Sequence, residues 1–142
     1  MTRHIRVRGA VAAILVSLTC AGSIAAEPFP FDRELLLDAA PMRPGKRMPL
    51  LTVEANGSGR IDLWCRSVPA RIEISDTAMK IESGPLPEGQ PELMSAGQCT
   101  PERMQADEEL LAAMSQVTGW HWDSEDLVLE GLKPLRFRSS DH

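Results

Sequence analysis

Residues 97–114, GQCTPERMQADEELLAAM, join helix-start chemistry to an apolar stripe. Thr100 is a capping residue, Pro101 suits the first helical position because no N–H is needed there, and Glu102 favours the positive helix end. Met104, Leu111 and Met114, widened by Leu110 and Val117, share one helical face. Asp107, Glu108 and Glu109 are expected on the opposite side as a solvated acidic face, and Gly119 is expected to stop the helix. This is the one convincing helix of the chain, so it predicts a single helix laid over whatever the remaining residues build.

On both sides of it the apolar period falls to two. Upstream, LLTVEA from Leu50 reads as an apolar strand ended by Asn56-Gly57-Ser58-Gly59, residues tolerant of the positive φ that a hairpin needs. RIDLWC places Ile61, Leu63 and Cys65 on one face and Asp62 and Trp64 on the other. ARIEIS points Ile72 and Ile74 inward, and Met79-Lys80-Ile81-Glu82 is one more short alternating run. Ser83–Leu93, SGPLPEGQPEL, with three prolines and two glycines, is expected as a surface loop. Downstream, Trp120-His121-Trp122, then Leu127 and Leu129, then Leu135 and Phe137 repeat the alternation, with Arg136 and Arg138 outward. Strands, one helix and strands again predict an α+β domain, an antiparallel β-sheet of short strands packed against a single α-helix.

The N-terminal residues speak to compartment. Arg3, Arg6 and Arg8 precede an apolar run from Ala10 to Leu18 and the small residues AGSIAA, the three-part pattern of a secretory signal. Cleavage is expected after Ala25 or Ala26, giving a periplasmic or secreted chain; Ser17 and Thr19 around Cys20 speak against a lipid anchor there. Removal of residues 1–26 takes away three arginines and no acids, which lowers the formal charge from −5 to −8 and leaves room for one small domain. Such an acidic chain argues against nucleic acid and anionic lipid as partners. The rest of the chain has no second apolar run of bilayer length. Residues 27–49 form a Pro-rich segment with one apolar patch, Leu35-Leu36-Leu37, followed by the domain proper at 50–138 (beginning as early as 35) and a short tail at 139–142.

The order of these residues resembles the META-domain, or heat-shock-protein HslJ-like, family of small extracytoplasmic bacterial domains. A WC pair (Trp64-Cys65) ends a strand, a second cysteine (Cys99) precedes a Pro-Glu helix start, ADEELLAAM follows, and LVLEGLKPLRF closes the chain. The likeness covers roughly Leu35 to Phe137. It departs from the family at Trp64-Cys65-Arg66, where Gly-Cys-Asn is usual. The resemblance implies an envelope or stress-associated role and supplies no catalytic residues.

Two fates are open to Cys99. Beside a helix N-terminus its thiol would be activated as a nucleophile, but a base is needed, and the histidines of the exported chain are His121 and the terminal His142. Alternatively Cys65 and Cys99, the pair left after export, form a disulfide closing a loop of about 35 residues, worth roughly 3–4 kcal/mol. The disulfide is the favoured expectation. His121, Asp123, Glu125 and Asp126 fit neither a calcium loop nor a zinc pattern, and Ser58 lacks the surroundings of a Gly-flanked nucleophile. No metal, cofactor or catalytic set is therefore expected. Trp64, with Arg66 and Arg71, is the candidate partner surface, because tryptophan and arginine are enriched where proteins bind one another. The function expected is that of a non-enzymatic envelope protein that binds an unknown envelope partner or serves the stress response. The alternative is a small disulfide-stapled inhibitor of a secreted hydrolase presenting the Ser83–Leu93 loop.

Overall fold

The computed structural model describes residues 27–88 and 97–140. The expected signal, the Cys20 position and the far part of the proline-rich loop lie outside these residues. Eight strands follow one another in space as they do in sequence: β1 (Glu34–Leu37), β2 (Leu50–Val53), β3 (Ser58–Asp62), β4 (Ser67–Ser75), β5 (Ala78–Ser83), then the helix α1 (Pro101–Ser115), β6 (Gly119–Asp123), β7 (Asp126–Glu130) and β8 (Leu135–Ser139). Every neighbouring pair is antiparallel, and β1 pairs with β8 through Leu35↔Ser139, Leu36↔Arg138 and Leu37↔Phe137. The sheet is thus a closed up-and-down barrel.

This corrects the expected α+β architecture of an open sheet under a helix. An amphipathic sheet can bury its apolar face by curling onto itself as well as by taking on a second layer. The strand that completes the circle, β1, comes from the Pro-rich 27–49 stretch, where the sequence offers only the short patch at Leu35–Leu37. Eight strands enclose a space that side chains just fill. Leu35, Leu51, Val53, Ile61, Leu127, Leu129 and Phe137, all with no solvent exposure, fill it here. Outward positions on the barrel strands carry charge, including Arg60, Arg71, Glu73, Lys80 and Arg138. No helix among the described residues is long and apolar enough to cross a membrane.

Local chemistry explains the corners. The β2–β3 turn uses Gly57 at φ +89°, a conformation other residues rarely adopt, and a Cβ there would lie 3.0 Å from the Ile72 carbonyl oxygen. Thr100 caps α1 as expected, its Oγ1 accepting from the Arg103 N–H at 3.3 Å. Gly119 opens β6 rather than ending the helix, which closes at Gln116.

The barrel has one narrow seam. β5 and β6 share only the Ala78↔Gly119 pairing, supplemented by Met79 N–H to Thr118 O at 3.1 Å and Trp120 N–H to Thr77 O at 2.9 Å. The chain between these strands holds α1, which packs against β5. By the parity of an up-and-down barrel, the β1–β2, β3–β4, β5–α1 and β7–β8 connections gather at one end. The buried Arg66, Arg103 and Asp107 lie at that end.

Candidate functional site: a buried clasp and an open groove

The β3–β4 connection, Leu63-Trp64-Cys65-Arg66, is buried throughout. It turns tightly, with Leu63 N–H donating to Arg66 O at 2.7 Å. The N–H groups of Cys65 and Arg66 then point at α1, where the Asp107 carboxylate accepts both at 3.0 Å. The Arg66 Nε donates to the same carboxylate at 3.0 Å, and its two terminal nitrogens donate to Pro87 O and Met104 O, each at 3.0 Å. Asp107 is fully buried, with every hydrogen bond charge-assisted.

A second buried arginine works one turn earlier on the helix. Arg103 donates to Trp64 O at 2.9 Å, to Gln98 O at 2.8 Å and to Pro44 O in the β1–β2 connection. Two guanidinium groups and one carboxylate therefore tie together the β1–β2 and β3–β4 connections, the chain after β5 and the first two turns of α1. A buried carboxylate without these donors would be strongly disfavoured, so the cluster is stable only when complete.

This finding corrects the expected acidic face. Asp107 belongs to the buried side of the helix with Arg103, Leu110, Ala113 and Met114, while Glu108 and Glu109 are exposed. A purely apolar reading of the helix misses it. The usable signal is the 103, 107, 110, 114 spacing, which follows a helical stripe although its first two members are charged.

Cys65 and Cys99 meet inside the clasp, both buried, with no disulfide joining them in this structure, and their side chains hydrogen-bond to one another. Burial, followed by the neighbouring Cys99 and the Asp107 charge, pushes the Cys65 thiol up from its ordinary 9.0 to about 12, against a smaller lowering by Arg103. This environment holds Cys65 as a thiol rather than as the thiolate that nucleophilic chemistry requires.

The proposed Trp64–Arg66–Arg71 surface does not form. Trp64 and Arg66 are each 5 % exposed, because the loop that carries them is drawn under the helix by Asp107. Arg71 is exposed on β4, and Phe31, Asn56 and Ile74 line a depression with it. His121 pairs with Glu130 across β6 and β7 at 2.6 Å, while Asp123 and Asp126 face Arg136. Of the residues weighed as a metal set, His121 is thus engaged by Glu130, and Asp123 and Asp126 by Arg136. Of the Ser83–Leu93 loop, the described part is tethered by Arg66 at Pro87.

Beside the clasp lies an open groove of about 520 Å³. One wall is the outer edge of α1, where Glu102, Gln105, Ala106, Glu109 and Ala113 recur at helical spacing. The opposite wall is built from the β1–β2 and β7–β8 connections, with Ala39, Ala40, Lys133 and Pro134 among its residues. Leu37, Trp64, Leu110 and Leu135 contribute apolar surface. Alanines on both walls keep the space open. Leu132, next in the chain to the lining residue Lys133, stands 85 % exposed in the β7–β8 turn, the most exposed of the large apolar side chains described. Nothing in the sequence pattern marks this groove, because its residues come from three connections and a helix edge.

No family model, curated protein or solved structure matches the chain.

Proposed function

We propose that this protein is an exported, non-enzymatic envelope domain of the META/HslJ-like type that works by binding another protein. The observation that carries this reading is the groove along α1, floored by Leu37, Trp64, Leu110 and Leu135. A concave surface lined largely by apolar side chains, with a few charged groups at its rim, is the arrangement of a recognition site. The chemistry-bearing side chains nearby are committed elsewhere: Cys65, Cys99, Arg66, Arg103 and Asp107 are buried in the clasp that holds α1. The basic, apolar and small-residue pattern of residues 1–26 and the META-like order of Cys65, Cys99 and the ADEELLAAM helix support the envelope assignment.

A photo-crosslinking amino acid at position 132, compared with one at exposed Glu73 on β4, tests the reading in cells carrying the full chain. A discrete protein adduct in the envelope fraction from position 132 and none from position 73 is expected. Absence of any adduct from 132, with and without envelope stress, overturns partner binding.

A further inference from the structure

We infer that the groove beside α1 receives a short segment of the partner protein that inserts apolar side chains and lays lysine or arginine along the helix wall. This rests on the partner-binding reading above and adds the chemistry of what is bound. The volume, about 520 Å³, falls in the roughly 300–1,000 Å³ range of ligand-holding clefts. Its capacity comes from Ala39, Ala40, Ala106 and Ala113, any of which would fill part of it if enlarged.

The rim charges give the occupant its sign. Arg136 is engaged by Asp123 and Asp126, and Asp38 by Arg138. Glu102, Glu109 and, across the groove, Lys133 form no ion pair among the described residues; Glu109 accepts only a hydrogen bond from Gln105 at 3.3 Å. Glu102 and Glu109 are seven residues apart, which is two helical turns and about 10.5 Å along one edge. That wall is therefore negative along its length, and the chain as a whole carries −5. A cationic segment is drawn toward such a surface and an acidic one is repelled. Two carboxylates spaced along the groove match side chains spaced along a peptide, whereas an amphiphile with one head group engages one of them. Lys133 on the far wall sets the direction in which an asymmetric segment lies.

The test uses three synthetic peptides of one length and one leucine pattern, with lysine, glutamate or serine at every polar position. Each is titrated into the full exported chain while the methyl resonances of Ala106, Leu110, Ala113 and Leu135 are followed. The lysine peptide is expected to shift these methyls saturably, at least tenfold more tightly than the glutamate peptide. The Glu102→Gln/Glu109→Gln double variant, altered only at exposed positions, should bring the lysine peptide down to the affinity of the serine peptide. Ala106→Leu should weaken the lysine and serine peptides alike. Equal binding of all three peptides, shifts outside the groove, or no saturable binding overturns the inference. So does saturation by dodecyltrimethylammonium below its micelle concentration as tight as by the lysine peptide. If the charge assignment holds, the position-132 adduct should weaken in the double variant; an undiminished adduct there overturns the charge assignment and leaves partner binding standing, whereas absence of the adduct from the otherwise unaltered chain overturns both.

Discussion

Along the wall from β1 to β8, buried positions are occupied by Leu35, Leu51, Ile61, Leu129 and Phe137; one connection away, equally buried positions hold Arg66, Arg103 and Asp107. The wall is held by apolar area, which is non-directional and tolerates similar shapes. The clasp is held by hydrogen bonds and charge, which demand particular atoms in particular places. The wall closes the barrel. The clasp decides where the helix lies beside it, and so where the groove opens.

Removing the carboxylate should have the largest effect. Asp107→Asn leaves the buried Arg66 cation without its counter-charge, and a loss of about 3–5 kcal/mol in urea unfolding is expected. A loss no larger than that of an exposed substitution would break the distinction between clasp and wall. On the wall, Leu127→Ala should cost about 2–5 kcal/mol through the cavity it leaves. Amide exchange should then rise in β7 and its neighbours, whereas Asp107→Asn should raise it first in α1.

The thiol pair sharpens the comparison through pH. Cys65 is raised from 9.0 to about 12 in the folded, reduced protein, so the unfolded chain releases its proton first as pH rises. Stability of the reduced protein is therefore full below pH 9 and declines between pH 9 and 12, by about 1.4 kcal/mol per unit within that window. Cys65→Ser should lack this slope in parallel urea titrations at pH 8 and 10, and so should the disulfide form expected after export. Identical slopes would contradict the assignment. The smallest effect belongs to the helix cap: Thr100→Ala should cost about 1 kcal/mol, read as a shifted urea midpoint with an unchanged slope.

Most of the wall is legible in the sequence because alternation is a period-two signal carried by every strand. Ile61, Ile72, Met79, Ile81, Leu127, Leu129, Leu135 and Phe137 are inward as their spacing indicates. Closure is not legible, since the pairing of Leu35–Leu37 with Phe137–Ser139 joins residues a hundred apart through backbone bonds that no side-chain pattern encodes. The helix boundaries follow from Thr100 and Pro101, but its buried face does not. A charged residue on a predicted helix is assigned to water unless its partner is known, and Arg66, the partner of Asp107, lies 41 residues away. Alternation continued through Cys65 likewise assigns Trp64 and Arg66 to the surface, whereas β3 ends at Asp62 and a tight turn follows. The groove is illegible for a related reason, being assembled from separated connections.

The clasp itself is tested most directly by a double-mutant cycle between Arg66 and Asp107, using Arg66→Met, Asp107→Asn and the double variant in urea unfolding of the reduced protein. Because Asp107→Asn strands a cation that Arg66→Met removes, the double variant should be less destabilised than the sum of the single ones, with a coupling on the order of 1–3 kcal/mol. Additive losses would contradict a helix held in place by this buried pair.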